Sequence, residues 1–133
     1  MKSTLISLLV FATLIGGGAV LLAHSNSSSP PKEATPPGEN VSMANGNQIV
    51  DIRAKGGYQP RRSVAKAGVP TTLRFETSGT FDCSSSVRIP SMDISTYLPQ
   101  TGTTDIAVGI QPVGIFKGSC GMGMYSFEVD FQG

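Results

Sequence analysis

The segment Cys120-Gly121-Met122-Gly123-Met124-Tyr125 sets one thiol and two thioethers close together, with only glycine between them. Thiolate and thioether are soft ligands, the pair that suits Cu(I). Glycine admits tight and left-handed backbone, so the sulfurs can converge on one point. The remaining cysteine of the chain is Cys83. The rest of the molecule is expected to bring Cys83 to this cluster and to hold both outside the cytoplasm. A competing reading is a Cys83–Cys120 disulfide with Met122 and Met124 as core filler. An even cysteine count in an exported chain supports it. Closing that loop would stabilise by roughly 3–4 kcal/mol on the chain-entropy model. It leaves Met-Gly-Met unexplained, because methionines flanked by glycine have no neighbouring bulk to pack with. The two readings also overlap. Two ligand sulfurs in one site can oxidise to a disulfide when metal is absent, if their geometry permits.

Other chemistries lack their residues. There is no Ser-His-Asp set, no phosphate loop and no histidine-containing metal motif. Carboxylates are scattered singly over the predicted strands, so no catalytic pair is expected and neither is enzymatic activity. The net charge of +1 and the absence of tryptophan argue against nucleic acid as a partner. Most of the charge in Arg53 to Lys66 is basic, which reads as a solubilising face. Lys117, close to Cys120 in sequence, would favour its thiolate, and Asp82 beside Cys83 would do the opposite. Met92 is a reserve ligand and Met43 a passive residue.

Positioning these sulfurs falls to the region 48–133. Gln48 to Ala54 alternates and reads as a first strand, followed by a turn at Lys55-Gly56-Gly57. Tyr58 to Ala65 is a connecting or second strand, and Ala67-Gly68 is a turn. Pro70 to Thr77 alternates with Leu73 and Phe75 on one face. Val87 and Ile89 share a face in Ser85 to Pro90, and Ser91 to Gln100 reads as a loop. Ile106, Val108 and Ile110 alternate in Thr103 to Ile110. Tyr125, Phe127, Val129 and Phe131 lie on one face of the last strand. Short strands separated by turn signals predict an all-β, antiparallel sandwich or Greek-key barrel.

Two segments precede it. Residues 1–24 hold Lys2 and an uncharged apolar run from Leu5 to Ala23. The run is an N-terminal hydrophobic helix, either a membrane anchor or a cleaved secretory signal; its length is nearer the ~20 residues of a spanning helix than the ~7–15 of a signal core. Either way the remainder is exported, periplasmic or at the cell surface, and the membrane is met only through this segment. His24, the one histidine, is a flank residue. Residues 25–47 are rich in Ser, Pro, Gly and Asn and read as a disordered linker. Asn40-Val41-Ser42 within it fits the glycosylation pattern.

The region from Gln48 to Phe131 resembles the cupredoxins, the Greek-key sandwiches that hold blue copper. Gly57-Tyr58-Gln59-Pro60 with Ala67-Gly68-Val69-Pro70 is similar to their opening strands. Phe81-Asp82-Cys83 with Val87-Arg88-Ile89-Pro90 resembles the segment bearing their first copper ligand, normally histidine. Cys120 to Met124 resembles their ligand loop of cysteine, histidine and methionine, and Tyr125 to Val129 their closing strand. The resemblance implies a cupredoxin-like Greek-key fold and a copper ion at Cys83, Cys120, Met122 and Met124. Met124 aligns with the weak axial methionine, and Cys83 and Met122 replace the two histidines. A blue site needs two imidazoles beside the thiolate. The all-sulfur set implies a Cu(I) binder for copper handling or delivery, with another copper-handling protein as a further partner. The alternatives are a disulfide-stapled interaction module without metal and an electron-transfer cupredoxin.

Overall fold

The computed structural model describes residues 37–133. The expected segment 1–24, its apolar helix and most of the linker lie outside them. Among the described residues no helix is long and apolar enough to cross a membrane.

Among the described residues, ten strands form two five-stranded sheets. The first sheet holds β1 (Val41–Ala44), β2 (Asn47–Ala54), β5 (Pro70–Thr77) and β8 (Gly102–Ile110) in that order, with β3 (Tyr58–Gln59) also on β2. The second runs β4 (Arg62–Lys66), β10 (Ser126–Gln132), β9 (Gly114–Ser119), β6 (Ser86–Ile89) and β7 (Ile94–Tyr97). The chain changes sheet between β3 and β4, at the cis Gln59–Pro60 bond. The sandwich expected from the sequence is therefore present, but two of its pairs, β2 with β5 and β4 with β10, are parallel. Parallel neighbours follow because strands from one hairpin-like unit are split between two sheets, which alternation alone does not reveal.

Alternation does assign the core. Leu73 and Phe75 of β5, Val87 and Ile89 of β6, and Phe127, Val129 and Phe131 of β10 are all buried. Tyr58, Phe75 and Phe127 meet edge to face, with ring centroids 5.1–6.0 Å apart, the arrangement favoured by aromatic quadrupoles. Buried Gln48 ties the sheets together. Its amide donates to the Lys66 carbonyl and to Thr71 Oγ1, both at 3.0 Å, and accepts from Lys66 N–H at 2.9 Å.

Three expectations are corrected. Val41 to Asn47, placed in the linker, form β1, a tight turn and the start of β2. Asn45 and Gly46 both take positive φ there, as a two-residue hairpin turn requires. Asn40 anchors the hairpin by donating to the Asp51 carbonyl and to Ser63 Oγ. Ile94 to Tyr97, read as a loop, pair with β6 as an edge strand. Ile110 is exposed although Ile106 and Val108 are buried. The β5–β8 register shifts between Thr71 and Thr72, and Gly109 has φ +67°. That bulge adds a residue and reverses the side-chain parity beyond it.

Candidate functional site

One end of the sandwich carries Cys83, Cys120, Met122 and Met124. Cys83 opens a short 3-10 turn, Cys83–Ser85, ahead of β6. Asp82 caps that turn, accepting from Ser84 N–H at 2.8 Å and from the Ser84 hydroxyl. Its second oxygen accepts from Gly56 N–H at 2.8 Å, which fastens the turn to the Gly56-Gly57 bend. Cys120 follows β9. The loop from Cys120 to Tyr125 is closed by Cys120 N–H to the Tyr125 carbonyl and Gly123 N–H to the Cys120 carbonyl, both at 3.0 Å. Gly123 has φ +72°, a conformation that glycine adopts without strain.

Cys83 and Cys120 are joined by a disulfide, their Cα atoms 5.6 Å apart. A hydrogen-bonded bridge also joins the two segments. Ser86 Oγ donates to the Cys83 carbonyl at 3.1 Å and accepts Gly121 N–H at 2.8 Å, so one hydroxyl bridges both segments. Arg88 adds a 3.4 Å donation to the Gly121 carbonyl. Tyr58, buried beneath, donates to the Ser86 carbonyl at 2.6 Å. Burial, and then the negative charge of Asp82, push its phenol above the usual tyrosine range. Asp82 itself is held below the usual carboxylate range by the Ser84 hydroxyl, with help from the Gly56 and Ser84 N–H groups.

The two cysteines differ in setting. Cys120 is 0% exposed and packs in the core cluster, while Cys83 is partly exposed at its edge. Tyr125 N–H donates to Cys120 Sγ at 3.4 Å. Met122 and Met124 are 83% and 67% exposed. They are loop residues and not the core filler of the disulfide reading. Met124 also lines a groove with Gly56, Gly57, Tyr58 and Arg61. Met92 sits beyond the far end of β6, where Gln111 approaches its sulfur at 4.0 Å, and so stands apart from this site. Lys117 lies opposite Glu128 on the outer face of β9, across the strand from the Cys120 side. Its closeness to Cys120 in sequence does not become closeness of side chains, because successive strand residues face opposite ways.

Among the described residues, no cluster of three or more His, Cys, Asp or Glu is placed to hold a metal ion. Any soft metal at this end would depend on methionine sulfur beside the cysteines. The chemistry available is thus that of a disulfide, or of two thiolates with two exposed thioethers after its reduction.

A two-sheet Greek-key sandwich with a cysteine-methionine loop before its last strand defines a class of fold as much as a site. The family model described as cupredoxin-like domain matches residues 14–129, and the chain belongs to that family. Its fold is shared by the metal-binding domain of the Cu(I)-exporting P-type ATPase CopA of Streptococcus pneumoniae D39, solved with Cu(I). That similarity has TM-score 0.64 at 24% identity, over 70% of this chain and 93% of the other. A copper-binding protein solved in solution in its apo form is similar to the same degree, TM-score 0.64 and 24% identity, over 71% and 97%. No curated protein matches the chain.

Proposed function

We propose that this is an extracytoplasmic Cu(I)-binding cupredoxin-like domain that serves copper handling or delivery. The carrying observation is the Ser86-bridged juxtaposition of Cys83 and Cys120 beside a loop with two exposed methionines. Reduction would free two thiolates at a fixed spacing, and these supply the negative charge that Cu(I) prefers to share. Met122 and Met124 add thioethers that need no deprotonation and release metal readily to a second protein. Soft sulfur suits Cu(I), and the described residues contain no imidazole for a blue Cu(II) centre. The two solved neighbours are copper-binding by their own descriptions, which supports the reading. An exported location is supported by the apolar run Leu5 to Ala23 and by the disulfide, since disulfides persist in oxidising compartments. The membrane, through that run, and a copper-accepting protein would be the partners.

The test is a Cu(I) titration of reduced protein, without oxygen, against a competing chelator. Cys120→Ser should abolish tight binding, and Met124→Leu should weaken it. Binding unchanged in both variants would refute the assignment. A second reading, a stapled interaction module without metal, is favoured by the formed disulfide itself. It predicts full oxidation of both cysteines in protein recovered from cells and no copper uptake after reduction.

A further inference from the structure

We infer that the Cys83–Cys120 disulfide is a thiol-exchange site with a fixed polarity: an external thiolate enters at Cys83, and Cys120 departs as the thiolate. Two observations carry this. Access favours Cys83, which is partly exposed, over the fully buried Cys120. A donor stands ready for the departing sulfur, because Tyr125 N–H already points at Cys120 Sγ. Exchange rates depend on which sulfur is reached and on how well the leaving thiolate is stabilised.

The step balances. The external thiolate forms a bond to Cys83 Sγ as the Cys83–Cys120 bond breaks, and the electron pair leaves on Cys120 Sγ. A second external thiolate then attacks the incoming sulfur, forms a disulfide with it and releases Cys83 as a thiolate. Two thiols are oxidised and one disulfide is reduced. The reductant is a dithiol protein or a small thiol; both present the same nucleophile. The Ser86 bridge and the hydrogen bonds of the Cys120–Tyr125 loop involve no S–S bond, so the two sulfurs stay paired for a return to the oxidised form. As a gate on metal loading this inference rests on the proposed Cu(I) function. The exchange itself is tested without metal, so its failure would leave copper uptake by chemically reduced protein standing.

The oxidised full-length protein would be treated without oxygen with reduced glutathione or, in a second arm, with a thioredoxin that keeps only its attacking cysteine. Free thiols are then blocked with maleimide and the peptides weighed. In both arms the incoming sulfur is expected on Cys83 and maleimide on Cys120, and the faster arm identifies the source. Adducts on Cys120 at equal or greater frequency would overturn the inference, as would exchange that needs denaturant. Single-cysteine variants give an independent readout. Cys83 in Cys120→Ser should react with an aromatic disulfide roughly tenfold or more faster than Cys120 does in Cys83→Ser. Equal rates would contradict the polarity.

Discussion

Asp82 joins the Cys83 turn to the Gly56-Gly57 bend through a charged carboxylate. Its folded pKa lies below the ordinary value, chiefly because the Ser84 hydroxyl donates to it. A lowered carboxylate contributes stability above its unfolded pKa, about 4, and loses it as pH falls through the lower folded value. Wild-type protein should therefore lose stability relative to Asp82→Asn as pH falls below about 4 and through the lowered folded value, in thermal unfolding followed by circular dichroism. Parallel pH profiles would contradict the role given to Asp82. At this scale the sequence was legible where chemistry is carried by residue type. Cys83, Cys120, Met122 and Met124 stand out by softness alone, and the structure places both cysteines together. Lys117 is near Cys120 in sequence but not in facing, because three positions along a strand reverse it, and only the β9–β10 register shows that.

At the scale of elements, β9 and β10 form the platform from which the Cys120 loop rises. Gly118 lies opposite Phe127, and a Cβ there would come within 2.1 Å of the ring. Gly118→Ala should therefore displace Phe127 from its packing on Tyr58 and Phe75. The expected cost is about 1–3 kcal/mol or more, the range for overpacked cores, measured by chemical denaturation. An unchanged midpoint would mean that the ring has room to move. Most strands could be placed from alternation, because each buries one face against the other sheet. Those missed had other signals. The β1–β2 hairpin is announced by Asn45-Gly46, which composition hid within a Ser/Pro-rich stretch. The edge strand β7 is short and half-buried, so its burial pattern carries little hydrophobic contrast. The bulge in β8 turns on Gly109, and a single glycine in a strand does not by itself say where parity breaks.

For the whole molecule, Gln48 is a polar tie between the sheets, as is the Tyr58 hydroxyl on the Ser86 carbonyl. Gln48→Leu would leave the Lys66 N–H and carbonyl without these partners. It should cost about 2–6 kcal/mol, given ~1–3 kcal/mol for each of the two backbone groups left unsatisfied, and fall at the low end because they are only part-buried. An unfolding curve that coincides with wild type would refute this role. The disulfide is the other global constraint. Its 37-residue separation is worth about 4 kcal/mol on the chain-entropy model. Reduction should lower the unfolding midpoint without unfolding the domain, because Ser86 still bridges the two segments. A ligand that binds only the folded state should then raise the midpoint again by mass action. The parallel strand pairs were the part of the fold that alternation could not supply, since pairing direction depends on which sheet each strand joins.

The most direct measurement compares Cu(I) uptake by one preparation before and after reduction of its disulfide, without oxygen and against the same chelator. The account predicts that oxidised protein leaves the copper with the chelator. Reduced protein should take it up and lose its two free thiols to a blocking reagent's reach as it does so. Equal uptake in both states, or none after reduction, would contradict a copper site built on Cys83 and Cys120.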